Sequence, residues 1–143
     1  MPALPHKLAM LLTGAALALA AADSFTIWPK GEPPAGTPKS GVKFANHNLS
    51  VSHRDKDGIP EVHTKVTDIF VIKSGEADLL LGGEVVGGKN ESPTEIRGGT
   101  IKGGKRNHVS AGDVVRIPAA MPHQFFVAAG KTVDYFVVKV DNP

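Results

Sequence analysis

Residues 61–75 read Glu-Val-His-Thr-Lys-Val-Thr-Asp-Ile-Phe-Val-Ile-Lys-Ser-Gly, and this stretch decides the fold. A carboxylate and an imidazole stand two residues apart in it, at Glu61 and His63. A second carboxylate, Asp68, opens an apolar run that ends at Gly75. Residues two apart on a strand share a face, so Glu61 and His63 can reach one ion together. The stretch predicts a metal-ligand strand followed by a core strand.

The remaining ligands must come from nearby or from far along the chain. Asp68 is close enough to His63 to act as a third ligand or as an acceptor that fixes the imidazole tautomer. The distant candidate is His123, at the end of the stretch 112–123, Gly-Asp-Val-Val-Arg-Ile-Pro-Ala-Ala-Met-Pro-His. There a turn glycine leads into a strand, a proline ends that strand and His123 opens the next. Two separate strand ends are therefore predicted to meet.

The chain from residue 42 onward predicts short strands and no helix. Polar and apolar residues alternate over 48–54, and a turn signal at 73–76 between two apolar runs predicts a hairpin. Glycine pairs divide 87–107 into turns of a meandering hairpin, because a phosphate loop would need a strand before it and a helix after it. Further strands are predicted at 84–86, 114–117, 124–127 and 132–140. This spacing is typical of an all-β sandwich or barrel.

The two stretches together resemble the motifs of the cupin superfamily, whose fold is a jelly-roll β-barrel, also called a double-stranded β-helix. The first motif has two histidines, a glutamate and a glycine, and those places hold Glu61, His63, Asp68 and Gly75. The second motif is matched by Gly112, Pro118 and His123, while Ala120 replaces its later glycine and Val127 its closing asparagine. The resemblance implies a cupin-type all-β barrel over residues 42–143.

The resemblance also implies a metal site and an activity. One divalent transition metal ion (Mn, Fe, Ni, Cu or Zn) would be bound by Glu61, His63, Asp68 and His123. A carboxylate not engaged by the metal, Asp68 or Glu61, would move a proton. The expected substrate is a small organic molecule, and dioxygenases, lyases, decarboxylases and isomerases all occur on this fold. The alternative is a non-catalytic cupin module that binds a small molecule or a sugar.

The first 41 residues precede the predicted barrel. Residues 1–22 resemble a signal peptide, because Lys7 precedes an apolar stretch that ends in Ala20-Ala21-Ala22. The alternative is an uncleaved anchor, which is less favoured because fifteen residues at about 1.5 Å each fall short of a core of about 30 Å. We therefore expect a secreted or periplasmic protein with no stable membrane anchor after cleavage. Residues 23–41 are rich in proline and glycine and predict an extended arm.

The arm has three possible roles. It can pack on its own domain, extend as an untethered leader, or reach a second subunit, since cupins commonly pair by exchanging N-terminal strands. A homodimer is therefore expected.

Composition excludes several classes of protein. The chain has 143 residues and a formal charge of +2, which fits one domain and shows no basic stripe for nucleic acid. It contains no cysteine, which excludes disulfides, thiolate metal sites and a cysteine nucleophile.

Several other residues carry weaker predictions. His53 falls on the apolar face of its strand, as a hydrogen-bonded core residue or an extra ligand. Glu91 and Glu95 lie in the glycine-rich segment and are predicted to be solvated. Barrel lining is predicted for three aromatic residues, Phe70, Phe125 and Phe136.

Overall fold

A computed structural model describes residues 25–142, so the predicted signal peptide lies outside the described residues. Among these residues a three-residue 3₁₀ turn, Pro29–Gly31, precedes twelve strands. The strands are β1 (Val42–Lys43), β2 (His47–Arg54), β3 (Glu61–His63), β4 (Val66–Leu81), β5 (Glu84–Val86), β6 (Lys89–Ser92), β7 (Glu95–Arg97), β8 (Thr100–Lys102), β9 (Lys105–Ser110), β10 (Val114–Ile117), β11 (His123–Phe126) and β12 (Val133–Asp141). No helix within 25–142 has the length and apolar character needed to cross a membrane.

Ten of the strands form one curled antiparallel sheet. Eight of them follow the order β1-β2-β12-β4-β11-β3-β7-β6, and β9 and β10 also pair with β4. The first half of β4 pairs with β10 and β12, and its second half pairs with β9 and β11. β4 thus passes from one wall of the barrel to the other. The predicted all-β jelly-roll barrel is confirmed, and β5 and β8 form a separate two-stranded sheet.

The predicted hairpin at 73–76 is wrong, because β4 runs through it as one strand of 16 residues. Gly75 has φ +73°, and the register against β12 shifts between Asp134 and Tyr135. Ile72 and Leu79, on either side of the glycine, are buried in the same core. Residues seven apart point to opposite faces of a regular strand, so the bulge is what lets both side chains face the core.

Gly75→Ala is expected to destabilise the barrel strongly. An alanine Cβ at this position would overlap Thr132 O, in addition to the cost of the left-handed backbone. Gly130 is a matched control, because its φ of +76° is similar and nothing lies within 4 Å of a Cβ built there. Gly130→Ala should lose about 1–2 kcal/mol of unfolding free energy, and Gly75→Ala at least about 1 kcal/mol more. Urea unfolding of the two variants measures this difference, and equal losses would contradict the bulge.

The core lies between the two walls of the barrel. Phe70 and Phe125 are buried in it, as predicted. The prediction for Phe136 is wrong, because Phe136 lies on the outer side of β12, next to Gly31 and with Lys73 Nζ 5.0 Å from its ring centroid. Tyr135, one residue earlier, faces the core and is only 2% exposed.

β2 turns its polar side into the barrel. Ser50 is buried, and Ser52 and Arg54 line an internal cavity together with it. The intervening residues face outward, so neither core burial nor ligation applies to His53: its side chain is 58% exposed and Nδ1 lies 2.7 Å from Asp134 Oδ1. The predicted alternation of β2 is present, but its polar side faces inward and His53 faces outward, because the barrel holds a polar cavity at this position.

The N-terminal arm packs on its own domain. Lys73 Nζ donates hydrogen bonds to Gly31 O at 3.2 Å and to Glu32 Oε1 at 2.8 Å. Further along, Lys39 and Ser40 line the internal cavity. The arm thus contributes to the wall of the cavity, and the homodimer stays a prediction.

Candidate metal centre

Glu61, His63 and His123 bring three possible ligand atoms together, all within 4.8 Å of one another. Glu61 and His63 share β3, and β11 pairs with β3 so that His123 lies opposite Glu61. Glu61 Oε2 is 3.8 Å from His63 Nε2 and 3.8 Å from His123 Nε2. Two stretches far apart in sequence therefore meet at one point, as the sequence predicted.

His123 offers a buried nitrogen that has no hydrogen-bond partner among residues 25–142. Its Nδ1–H donates to Met121 O at 3.2 Å, which leaves the lone pair of the neutral ring on Nε2. Burial lowers the pKa of His123 below its ordinary value of 6.5, so the ring is neutral at neutral pH. A buried, unpaired polar atom costs about 1–3 kcal/mol. A bound cation would remove that cost, and the donor set fits one.

His63 is oriented by Asp68. Asp68 is 1% exposed, and its Oδ2 accepts a hydrogen bond from His63 Nδ1 at 2.8 Å. That bond places the lone pair of a neutral His63 ring on Nε2, which faces the centre. Asp68 Oδ2 is also 3.9 Å from His123 Nε2. The geometry matches the outer acceptor expected for Asp68, and its role as a direct ligand stays a prediction.

Asp68→Asn is expected to destabilise the protein at neutral pH and much less in acid. Burial raises the pKa of Asp68, but the hydrogen bond from His63 and the charge of Lys139 outweigh it and hold the pKa below its ordinary 3.8. The ionised carboxylate therefore stabilises the fold above about pH 4, and this contribution is lost as the pH falls through the lowered pKa. We expect a loss of about 1–3 kcal/mol at pH 7. Urea unfolding at pH 7 and near pH 3 measures it, and a pH-independent loss would contradict the charge assignment.

Lys139 and Glu95 also belong to the centre, and sequence reasoning missed both. Lys139 Nζ lies 2.8 Å from Asp68 Oδ1 and 3.2 Å from His63 Nε2. Glu95 Oε1 lies 3.2 Å from the same nitrogen, because β7 pairs with β3 and places Glu95 opposite His63. The side chain of Glu95 is 25% exposed, so the prediction that it is solvated is wrong, while Glu91 is exposed as expected.

Two arginines flank Glu61. Arg97 Nη1 lies 3.2 Å from Glu61 Oε1, and Arg97 Nε donates to Glu95 Oε1 at 2.7 Å. Burial lowers the pKa of Arg97, but the neighbouring carboxylates outweigh it and raise the pKa above its ordinary value. Arg54 Nη2 is more distant, 3.9 Å from Glu61 Oε1. Because the cations approach Oε1, Glu61 keeps Oε2 for the two imidazoles.

A cavity of about 240 Å³ opens beside the centre. Glu61 and His123 line it, so a molecule held there can reach two of the three candidate ligands. Phe70 and Phe125 form part of its apolar wall. The site thus combines a cluster of nitrogen and oxygen donors with room for a small molecule, which is the usual arrangement of a ligand pocket.

No family model and no curated protein matches the chain in sequence. Solved structures do match it. A cupin protein from Bacteroides fragilis aligns with a TM-score of 0.50 and 16% identity over 68% of both chains. A protein with a double-stranded β-helix domain from Klebsiella pneumoniae aligns with a TM-score of 0.53 and 17% identity, over 85% of this chain and 91% of that one.

An enzyme is also among the similar structures. Hydroquinone 1,2-dioxygenase from Sphingomonas sp. TTNP3, with 4-hydroxybenzoate bound, aligns with a TM-score of 0.54 and 10% identity. The alignment covers 71% of this chain and 63% of the dioxygenase chain, which is less than two thirds of it. At such identities the likeness concerns the fold and not the activity. Together with the strand order, it shows that this chain has the cupin fold, a double-stranded β-helix.

Proposed function

We propose that this protein binds one divalent transition metal ion and acts on a small organic substrate in the adjoining cavity. The ligands would be Glu61, His63 Nε2 and His123 Nε2. The observation that carries the proposal is the buried, unpartnered Nε2 of His123, which lies in the same cluster as two other donors. Two imidazoles and a carboxylate suit Mn, Fe, Ni, Cu or Zn.

The roles of the surrounding side chains follow from their positions. When bound, the ion would supply Lewis-acid or dioxygen chemistry. Asp68 orients His63 through Nδ1 and is almost fully buried, so it has little access to a substrate. The side chain of Glu61 is 14% exposed and lines the cavity, so it would exchange a proton with a substrate only in a state in which it does not bind the metal. A dioxygenase or a lyase reaction fits such a site.

The cellular setting is part of the same proposal. The apolar leader at 1–22 supports secretion or a periplasmic location. The homodimer rests on the tendency of cupins to pair through N-terminal strands, since the arm of this chain packs on its own domain.

One observation favours a second function, a binding module that works without metal. Lys139 Nζ lies 3.2 Å from His63 Nε2 and can donate a hydrogen bond to it, so a group of the protein itself can take the place of an ion at this imidazole. In that case the cavity would bind a small molecule or a sugar and perform no chemistry.

Elemental analysis separates the two functions. We expect purified protein to carry close to one transition metal ion per chain, and His63→Ala/His123→Ala protein to carry almost none. His108→Ala serves as the matched control, because His108 is exposed and pairs with Asp78 outside the centre. Equal, sub-stoichiometric metal in wild type and double variant would reject the metal-dependent function in favour of the binding module.

A further inference from the structure

We propose that the cavity beside the metal centre selects a small organic carboxylate, whose charged end is bound by Arg54. The position of this site rests on the proposed function, since the cavity adjoins the candidate metal ligands. The preference for a negative charge rests on the cavity's own side chains and can be tested without metal.

The charges around the cavity are unbalanced. Among the described residues that line it, one is acidic, Glu61, and four are cationic: Lys39, Arg54, Arg97 and Lys139. Asp68 and Glu95 lie just behind this lining and pair with Lys139 and Arg97. Even with both of them counted, the cations remain in excess, and a divalent ion would increase that excess. A cavity with surplus positive charge and apolar walls favours an anionic ligand.

Arg54 has unused hydrogen-bond donors, whereas Arg97 and Lys139 each contact two partners. Its single side-chain hydrogen bond within residues 25–142 runs from Nε to Tyr135 Oη at 2.8 Å. The 3.9 Å from Nη2 to Glu61 Oε1 is beyond hydrogen-bond reach. The side chain is only 28% exposed, so its terminal amino groups have limited access to bulk water. A guanidinium held in this way presents a planar fork that matches a carboxylate.

An apolar surface lies directly beside that fork. The rings of Phe70, Phe125 and Tyr135 lie against one another, with centroid separations of 4.7–5.6 Å. The guanidinium carbon of Arg54 is 5.5 Å from the Phe125 ring centroid, and Arg54 Nε donates a hydrogen bond to Tyr135 Oη. The guanidinium of Arg54 and the aromatic wall are therefore held in a fixed position relative to each other. A ligand with a carboxylate on a flat apolar body can contact both at once, and a cavity of about 240 Å³ has room for a body of about one ring.

Benzoate and benzamide provide the test, because they share a ring and a shape and differ in charge. Calorimetric titration of the full chain, in metal-free and in zinc-loaded form, gives the affinity for each probe. We expect benzoate to bind about tenfold or more tightly than benzamide in both forms. Arg54→Gln should weaken benzoate binding about tenfold and leave benzamide binding unchanged, which also shows that the variant is folded. Lys131→Gln is the charge control, because Lys131 is exposed and pairs with Glu76 away from the cavity.

The proposal would be overturned by equal affinity for the two probes, by an Arg54→Gln effect of the same size on both, or by no benzoate binding at about 10 mM. A preference for benzoate that appears only with zinc and survives Arg54→Gln would assign the carboxylate to the metal, and would also overturn it. If the wild-type protein does not bind zinc but still prefers benzoate through Arg54, the proposed function is rejected and this inference stands.

Discussion

His123→Phe is expected to abolish metal binding while the metal-free barrel stays folded. Phenylalanine keeps a ring in the buried space beside Phe70, whose ring centroid is 6.1 Å from that of His123. The substitution deletes Nε2, the buried nitrogen that lacks a partner, and the hydrogen bond of 3.2 Å from Nδ1 to Met121 O. Removal of the unpaired buried nitrogen raises the free energy of unfolding, and removal of the long hydrogen bond lowers it. The unfolding free energy of the metal-free protein should therefore change by no more than about 1 kcal/mol.

His123→Phe should weaken metal binding strongly. Loss of a group that only supports a ligand typically weakens metal binding about 10–100-fold. Loss of a direct ligand should exceed that, and we expect zinc affinity to fall more than about 100-fold in calorimetric titrations. Replacement of the exposed His108 by Phe should leave the affinity unchanged. Zinc affinity within a factor of about three of wild type would remove His123 from the ligand set.

Lys139→Met is expected to strengthen metal binding. The ammonium of Lys139 lies 3.2 Å from His63 Nε2, so an ion bound to that nitrogen at about 2.0–2.1 Å would lie within roughly 5 Å of a positive charge. Two like unit charges 4 Å apart repel by about 4 kcal/mol near a protein surface, although the side chain of Lys139, 34% exposed, can move aside. The substitution also frees Asp68 Oδ1, whose negative charge then attracts the ion.

A gain of about tenfold or more in zinc affinity is the expected result. Lys139→Arg keeps the charge and should give no gain. Lys131→Met removes a lysine outside the site and should also give none. Weaker zinc binding in Lys139→Met would mean that Lys139 supports the ligands, and the electrostatic competition inferred from its position would be wrong.

The parts of this site that sequence could predict are those that depend on local spacing. Residues two apart on a strand share a face, which placed Glu61 beside His63 without knowledge of the fold. The strand end at His123 was recognisable from the glycine and proline around it. Asp68 was predicted as a possible partner of the imidazole, and its carboxylate does lie 2.8 Å from His63 Nδ1.

The parts that sequence could not predict depend on strand pairing. Glu95 enters the centre because β7 pairs with β3 in one particular register. Lys139 enters because β12 lies beside β4, opposite Asp68. Alternation along β7 and β12 shows which side chains share a face, but not which strand they will face. The same holds for β2, whose alternation does not show that its polar side, which includes Arg54, faces the cavity.

The bend at Gly75 has a different origin. A glycine after a lysine and a serine looks like a turn when the strand is considered alone. In the barrel, β12 pairs with the chain up to Gly75, and β9 and β11 pair with the chain beyond it, so the strand continues across the corner. Long-range pairing thus outweighs local turn preference at this position.

A crystal structure of the protein with a bound transition metal ion tests the central claim most directly, with the metal located by anomalous scattering. We expect Nε2 of His63, Nε2 of His123 and one carboxylate oxygen of Glu61 to lie within about 2.0–2.2 Å of the ion. Asp68 should remain bonded to His63 Nδ1, and Lys139 should have moved away from His63 Nε2. An ion bound elsewhere, or an ion that contacts only one of these three residues, would contradict the proposed centre.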